Sequence, residues 1–130
     1  MKESFIRKPT KTTPGAGVNY EKGKVVLKGR SSPENTMEFF EPFLKAISSL
    51  AKAKCEKVTA SFRLVYFNTS SARCIYLTIK ELKKLELQGK TVGINWFAEE
   101  EDEDMIETGL DFQDMVGMDF KILKFSRENE

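Results

Sequence analysis

The run Val58-Thr-Ala-Ser-Phe-Arg-Leu-Val-Tyr-Phe67, with Asn68-Thr-Ser-Ser71 directly behind it, decides the fold. Val58, Ala60, Phe62, Leu64 and Tyr66 alternate with Thr59, Ser61 and Arg63, the two-residue period of a strand with one buried and one wetter face. Asn68 to Ser71 are residue types that cap helix N-termini, and apolar positions then recur at Ile75, Ile79, Leu82 and Leu85 with helical period. Lys80, Glu81, Lys83 and Lys84 fall largely on the other side, and Gln88-Gly89 supplies the left-handed stop. Thr91 to Phe97 alternates again, with Val92, Ile94 and Trp96 on one face and Gly93 and Asn95 on the other. Strand, capped helix and strand make a β-α-β unit.

Outward from that unit the pattern repeats. Lys24 to Lys28 predicts a short strand, and Gly29-Arg-Ser-Ser-Pro-Glu34 predicts a helix entry with Ser32 as N-cap and Pro33 first in the helix. Phe40, Phe43, Leu44, Ile47, Leu50 and Ala51 form its apolar stripe, which Pro42 either kinks or restarts. On the far side, a helix is expected over about Asp102 to Met115 and a strand over Met118 to Phe125. Residues 8–23, rich in Pro, Gly and Thr, read as a loop with at most a short strand, and residues 1–8 as irregular. The expectation is a single α/β domain over residues 1–130. It has two layers, with about four to five strands and helices mainly on one sheet face.

Composition excludes several classes of function. The 130 residues carry 21 basic and 20 acidic groups, so no global field draws the chain to nucleic acid or a membrane. The charges are segregated, however: residues 1–98 are basic on balance, and residues 99–130 are strongly acidic. The absence of histidine removes Ser-His-Asp and Cys-His catalysis and histidine metal sites. Cys55 and Cys74 have no metal-ligand spacing and read as reduced thiols. No apolar run approaches the roughly 20 residues of a membrane span, and Met1-Lys2-Glu3-Ser4 is too polar for a secretory signal, which predicts a cytoplasmic protein. No phosphate-binding glycine loop or nucleophile elbow is present, so no catalytic residue, cofactor or metal is expected.

Three segments are candidates for function. One cap needs one residue, yet Asn68 to Ser71 supplies four, so this point doubles as a candidate phosphorylation site. A phosphoryl group there would meet free N–H groups and the positive end of the helix dipole, with Arg73 one turn away. The acidic run Glu99 to Asp104 is a solvated helix start or a docking segment, without the spacing of a calcium loop. The wetter strand faces, with Arg63 and Asn95, form a candidate contact surface. Phe39, Phe40, Phe43, Phe62 and Tyr66 are assigned to the core.

Four motifs in register carry a resemblance: Gly29-Arg-Ser-Ser-Pro-Glu-Asn-Thr-Met-Glu-Phe-Phe-Glu-Pro42, Tyr66-Phe-Asn-Thr-Ser-Ser71, Asn95-Trp96-Phe97, and the acidic Glu99 to Met105. Together they resemble the SiaC family of bacterial regulatory phosphoproteins over about residues 9–125. The resemblance implies a STAS-like fold with a mixed sheet and a non-enzymatic switch. It implies phosphorylation at Thr69 by a SiaB-type kinase, with Ser70 and Ser71 as neighbours, and dephosphorylation by a SiaA-type metal-dependent phosphatase. The unmodified form would bind and activate a SiaD-type diguanylate cyclase, linking the chain to cyclic-di-GMP and biofilm behaviour. Asn68, Arg73, Glu99, Glu100 and Asp102 are the expected partner contacts. Two rival readings stand beside it: an anti-sigma-factor antagonist, and a small metal-dependent enzyme using residues 99–104.

Overall fold

A computed structural model describes residues 4–126. Six strands form one sheet in the order of the chain: β1 (Phe5–Arg7), β2 (Gly15–Asn19), β3 (Lys24–Ser31), β4 (Lys57–Phe67), β5 (Thr91–Glu99) and β6 (Phe120–Phe125). The first three pair antiparallel, and β3 to β6 pair parallel. Each parallel step crosses through a helix: α1 (Thr36–Ser49), α2 (Thr69–Leu87) and α3 (Glu103–Val116). The strand order never reverses, so crossovers of one hand place all three helices over the same face. The two-layer α/β expectation holds, with more strands than the four to five expected.

β2 is the short strand allowed within the predicted loop, and β1 lies where an irregular terminus was predicted. In β2, Ala16 and Val18 point into the core and alternate with Gly15, Gly17 and Asn19. Glycines on the outer face hide the two-residue pattern that marks a strand. β1 is only three residues long, too short for any period, yet it pairs with β2, and Phe5 packs near Phe43 at 6.1 Å between ring centroids.

Two further expectations are corrected. The N-cap of α1 is Asn35, not Ser32, because Ser31 still belongs to β3 and the Ser32 amide donates to the Thr12 carbonyl. Asn35 Oδ1 accepts from the Glu38 amide at 3.2 Å, while its Nδ2 donates to the Glu38 carboxylate at 3.3 Å, a reciprocal capping arrangement. The helix then continues through Pro42 to Ser49. Tyr66, assigned to the core, is 44% exposed. A register shift between Gly29 and Arg30 pairs Leu64 with Gly29 but Tyr66 with Arg30, so Val65 is the extra residue of a bulge and Tyr66 turns outward.

The core lies between the helices and the inner sheet face. Phe40, Phe43 and Ile47 of α1, Ile75, Ile79 and Leu82 of α2, and Phe62 and Trp96 of the sheet are all essentially inaccessible. Trp96 Nε1 donates to the Met105 carbonyl at 2.9 Å, which satisfies the one polar group of this buried ring.

Candidate functional site

Strands β3 to β6 run in one direction, so their C-terminal ends and the N-termini of α1, α2 and α3 share one rim. Asn68 to Ser71 lie on this rim at the β4–α2 junction, and Glu99 to Asp104 lie on it at the β5–α3 junction. The two segments thus occupy neighbouring connections at one end of the sheet.

Each of the four polar residues has a separate task. Asn68 is the N-cap, its Oδ1 accepting from the Ser71 amide at 2.9 Å. Ser71 is wholly buried and shares a 2.7 Å hydrogen bond with the hydroxyl of Ser31, at the end of β3. Ser70 shares a 2.7 Å hydrogen bond with Thr36, the first residue of α1, and also donates to Asn68 Oδ1 at 3.3 Å. Thr69, first in α2, is exposed, and its hydroxyl has no hydrogen-bond partner among the described residues. Two serine hydroxyls tie the starts of α1 and α2 and the end of β3 together, and the threonine between the cap and those serines is left open to solvent.

Arg73 follows Thr69 by four residues and is exposed on α2, so the two occupy the same side of the helix. It stands next to Cys74, whose thiol is raised by burial, with the Arg73 charge pulling the other way. Cys74 is buried and donates to the sulfur of exposed Met37 at 3.5 Å. Both cysteines are free thiols. Toward the outer sheet face, Arg30 stacks over the Tyr66 ring at 4.5 Å, beside exposed Val65. The rim around the β4–α2 junction therefore offers Met37, Val65 and Tyr66 as apolar contacts and Arg30 and Arg73 as cations. Arg30 lies in a quoted motif but had no assigned role, because only the bulge brings it against Tyr66.

The acidic segment is divided by structure. Glu99 is the last residue of β5, and Glu100 and Glu101 make the turn, with the Glu100 amide donating to the Phe125 carbonyl at 2.8 Å. Asp102 caps α3, its Oδ1 accepting from the Met105 amide at 3.1 Å. Glu103 and Asp104 fill the first turn, where carboxylates favour the helix dipole. Among the described residues no three Cys, Asp or Glu side chains converge on a point where a metal ion would fit. None of the described helices is long and apolar enough to cross a membrane.

Comparison with known proteins agrees with this geometry. The chain is 24% identical over 113 residues to an uncharacterized protein of Pseudomonas aeruginosa (strain UCBPP-PA14), spanning 87% of this chain and 90% of that one. Its fold is similar to apo-SiaC from Pseudomonas aeruginosa, with a TM-score of 0.84 at 21% identity, covering 93% of this chain and 98% of the other. It is also similar to a chain in the crystal structure of diguanylate cyclase SiaD in complex with its activator SiaC from the same species. There the TM-score is 0.86 at 22% identity, covering 93% and 99%. The profile of the SiaC family of regulatory phosphoproteins matches residues 7–125, and the chain therefore belongs to that family, as a regulatory protein rather than an enzyme.

Proposed function

We propose that this protein is a phosphorylation-controlled activator of a diguanylate cyclase, with Thr69 as the phosphoacceptor. The observation that carries the reading is the contrast at the start of α2. Ser70 and Ser71 have engaged hydroxyls, whereas the Thr69 hydroxyl is exposed and unpartnered among the described residues. A kinase can reach Thr69 without breaking the contacts that hold α1, α2 and β3 together. The SiaC in the cyclase complex supports the choice of effector, and a SiaB-type kinase with a SiaA-type phosphatase would write and erase the mark.

The switch works through charge. A phosphoryl group adds about −1.5 to −2 charges at neutral pH. At Thr69 it faces the amides of Thr69 and Ser70, which have no acceptor among the described residues, and the Arg73 guanidinium one turn on. The fold accommodates the group, while the patch around the β4–α2 junction loses the positive charge of Arg30 and Arg73 and gains a phosphoryl dianion at its centre. A partner surface matched to the first state meets repulsion and a desolvation cost in the second. A coupling of about 3 kcal/mol would lower affinity roughly 150-fold. Asn68 serves as the cap, Arg73 as the phosphate or partner contact, and Glu99, Glu100 and Asp102 as a second contact on the neighbouring connection.

The test is cyclase binding and activation by wild type, Thr69→Ala and Thr69→Glu. Binding by the first two and a large loss by Thr69→Glu is the expected result. Equal binding by all three would reduce Thr69 to a helix-start residue and remove the switch.

A further inference from the structure

The helices cover one face of the sheet, and among the described residues no helix packs on the opposite face. On that face β4 and β5 make a floor of short side chains, with Thr59 opposite Gly93 and Ser61 opposite Asn95. β3 raises Lys24, Val26 and Lys28 along one side of the floor, and β6 raises Lys121 and Leu123 along the other. Three inter-strand spacings separate β3 from β6, roughly 14 Å, against about 10–12 Å for a helix with its side chains. At the rim end Arg63 lies 4.1 Å over the Phe125 ring and 5.8 Å from the Phe97 ring. It closes the trough and covers the ring faces on which a nucleobase would stack.

We propose that this trough seats an acidic amphipathic helix of a protein partner. Charge complementarity selects the occupant: the outward exposed side chains include Lys24, Lys28, Arg30 and Lys121, with Glu99 the one carboxylate among the described strand residues on this face. Apolar anchors are present as well, since Val26 is 42% and Leu123 37% exposed, one on each wall. Gly93 adds a further argument. It sits inside β5, paired with Thr59 of β4 just before the β6 ladder begins at Ile94, at a backbone geometry any residue adopts, and a Cβ built there meets nothing within 4 Å. Nothing among the described residues requires glycine at that position, whereas close approach of a second chain would favour it. Lys24, Lys28 and Arg30 from the basic first part of the sequence thus share this face with Lys121, on the other side of the sheet from acidic α3. This surface adjoins the Thr69 rim at Arg30 and Glu99 but does not include Thr69, and the proposal stands whether or not Thr69 is modified.

The test is an NMR titration of the isotope-labelled full chain with a synthetic helical peptide of about 18 residues, leucines on one face flanked by glutamates. A control peptide carries lysine at every glutamate. The acidic peptide is expected to shift the amides of Val26, Ser61, Gly93 and Asn95, increasingly weakly as salt is added, and the lysine peptide to shift none of them. Gly93→Phe should abolish the shifts and Lys28→Glu weaken binding about tenfold, with thermal melts showing both variants folded. Should either variant fail to fold, the salt dependence and the lysine peptide decide alone. Equal response to both peptides, shifts confined to other surfaces, or no shift at millimolar acidic peptide overturns the proposal. So does concentration-dependent self-association through these same residues, or displacement of the peptide's role by a single-stranded oligonucleotide.

Discussion

Ser31 and Ser71 share a 2.7 Å hydrogen bond between their hydroxyls while both are fully buried, which fastens the end of β3 to the first turn of α2. Replacing either serine with alanine leaves the other hydroxyl buried without its partner, so each single variant is expected to lose about 1–3 kcal/mol. The double alanine variant removes both polar groups together and should lose much less than the sum. Urea unfolding of the four proteins in this cycle measures the coupling, and additive losses would show that the bond contributes nothing.

Asn68 holds the next link. Its side chain accepts from the Ser71 amide, and Ser70 also donates to it. Asn68→Ala should lower stability by about 1 kcal/mol, and Asn68→Asp should retain most of it, because aspartate caps equally well. Thr69→Ala, by contrast, removes an exposed hydroxyl with no partner among the described residues and should stay within about 0.5 kcal/mol of wild type. Chemical denaturation of the three variants separates the cap from the site beside it.

Stability should fall on the alkaline side. Burial raises the Cys74 thiol above its ordinary 9.0, with Arg73 opposing, and burial also raises Tyr20 above its ordinary 10.0. Both groups are neutral in the fold and lose their protons more readily when unfolded. The unfolded chain therefore binds fewer protons above the ordinary values, and stability declines there as pH rises toward the raised ones. Below about pH 8 neither group contributes a slope. Urea midpoints between about pH 7 and pH 10.5 should fall less steeply for Cys74→Ala than for wild type. Parallel profiles would assign the alkaline loss to other groups.

The parallel half of the fold was legible because its strands alternate and its helices keep one stripe. Val58 to Leu64, Ile94 to Trp96 and Ile75 to Leu85 all face as their spacing predicts. Legibility failed where a tertiary contact outweighed a local signal. Ser32-Pro33-Glu34 and Asn35-Thr-Met-Glu38 are both helix-start sequences, and β3 pairing with Ser31 leaves the second to act. Tyr66 leaves the core through a bulge whose one mark in the sequence is Gly29, at a φ of 119° beside the register shift, a glycine that also reads as the start of a helix entry. At the candidate site, the four polar residues were visible as a group. Their division into cap, two ties and one open hydroxyl depends on Ser31 and Thr36, which are 40 and 34 residues away from their partners.

Gly109 reverses the usual rule for glycine in a helix. It lies inside α3, where alanine is normally worth about 1 kcal/mol more than glycine. A Cβ at this position would stand 2.5 Å from Trp96 Cδ1, 2.7 Å from Nε1 and 2.8 Å from Cγ. The indole cannot move aside easily: Nε1 is bonded to the Met105 carbonyl, and Phe62 and Phe112 pack at 5.7 and 5.6 Å between ring centroids. Overpacking of this kind costs about 1–3 kcal/mol, which offsets or exceeds the roughly 1 kcal/mol that the helix gains. Gly109→Ala should therefore destabilise the protein by up to about 2 kcal/mol and alter the emission of Trp96, the single tryptophan. A thermal melt followed by that fluorescence reads both effects. A more stable Gly109→Ala protein would mean that the ring yields, and that α3 does not lie so tightly on β5.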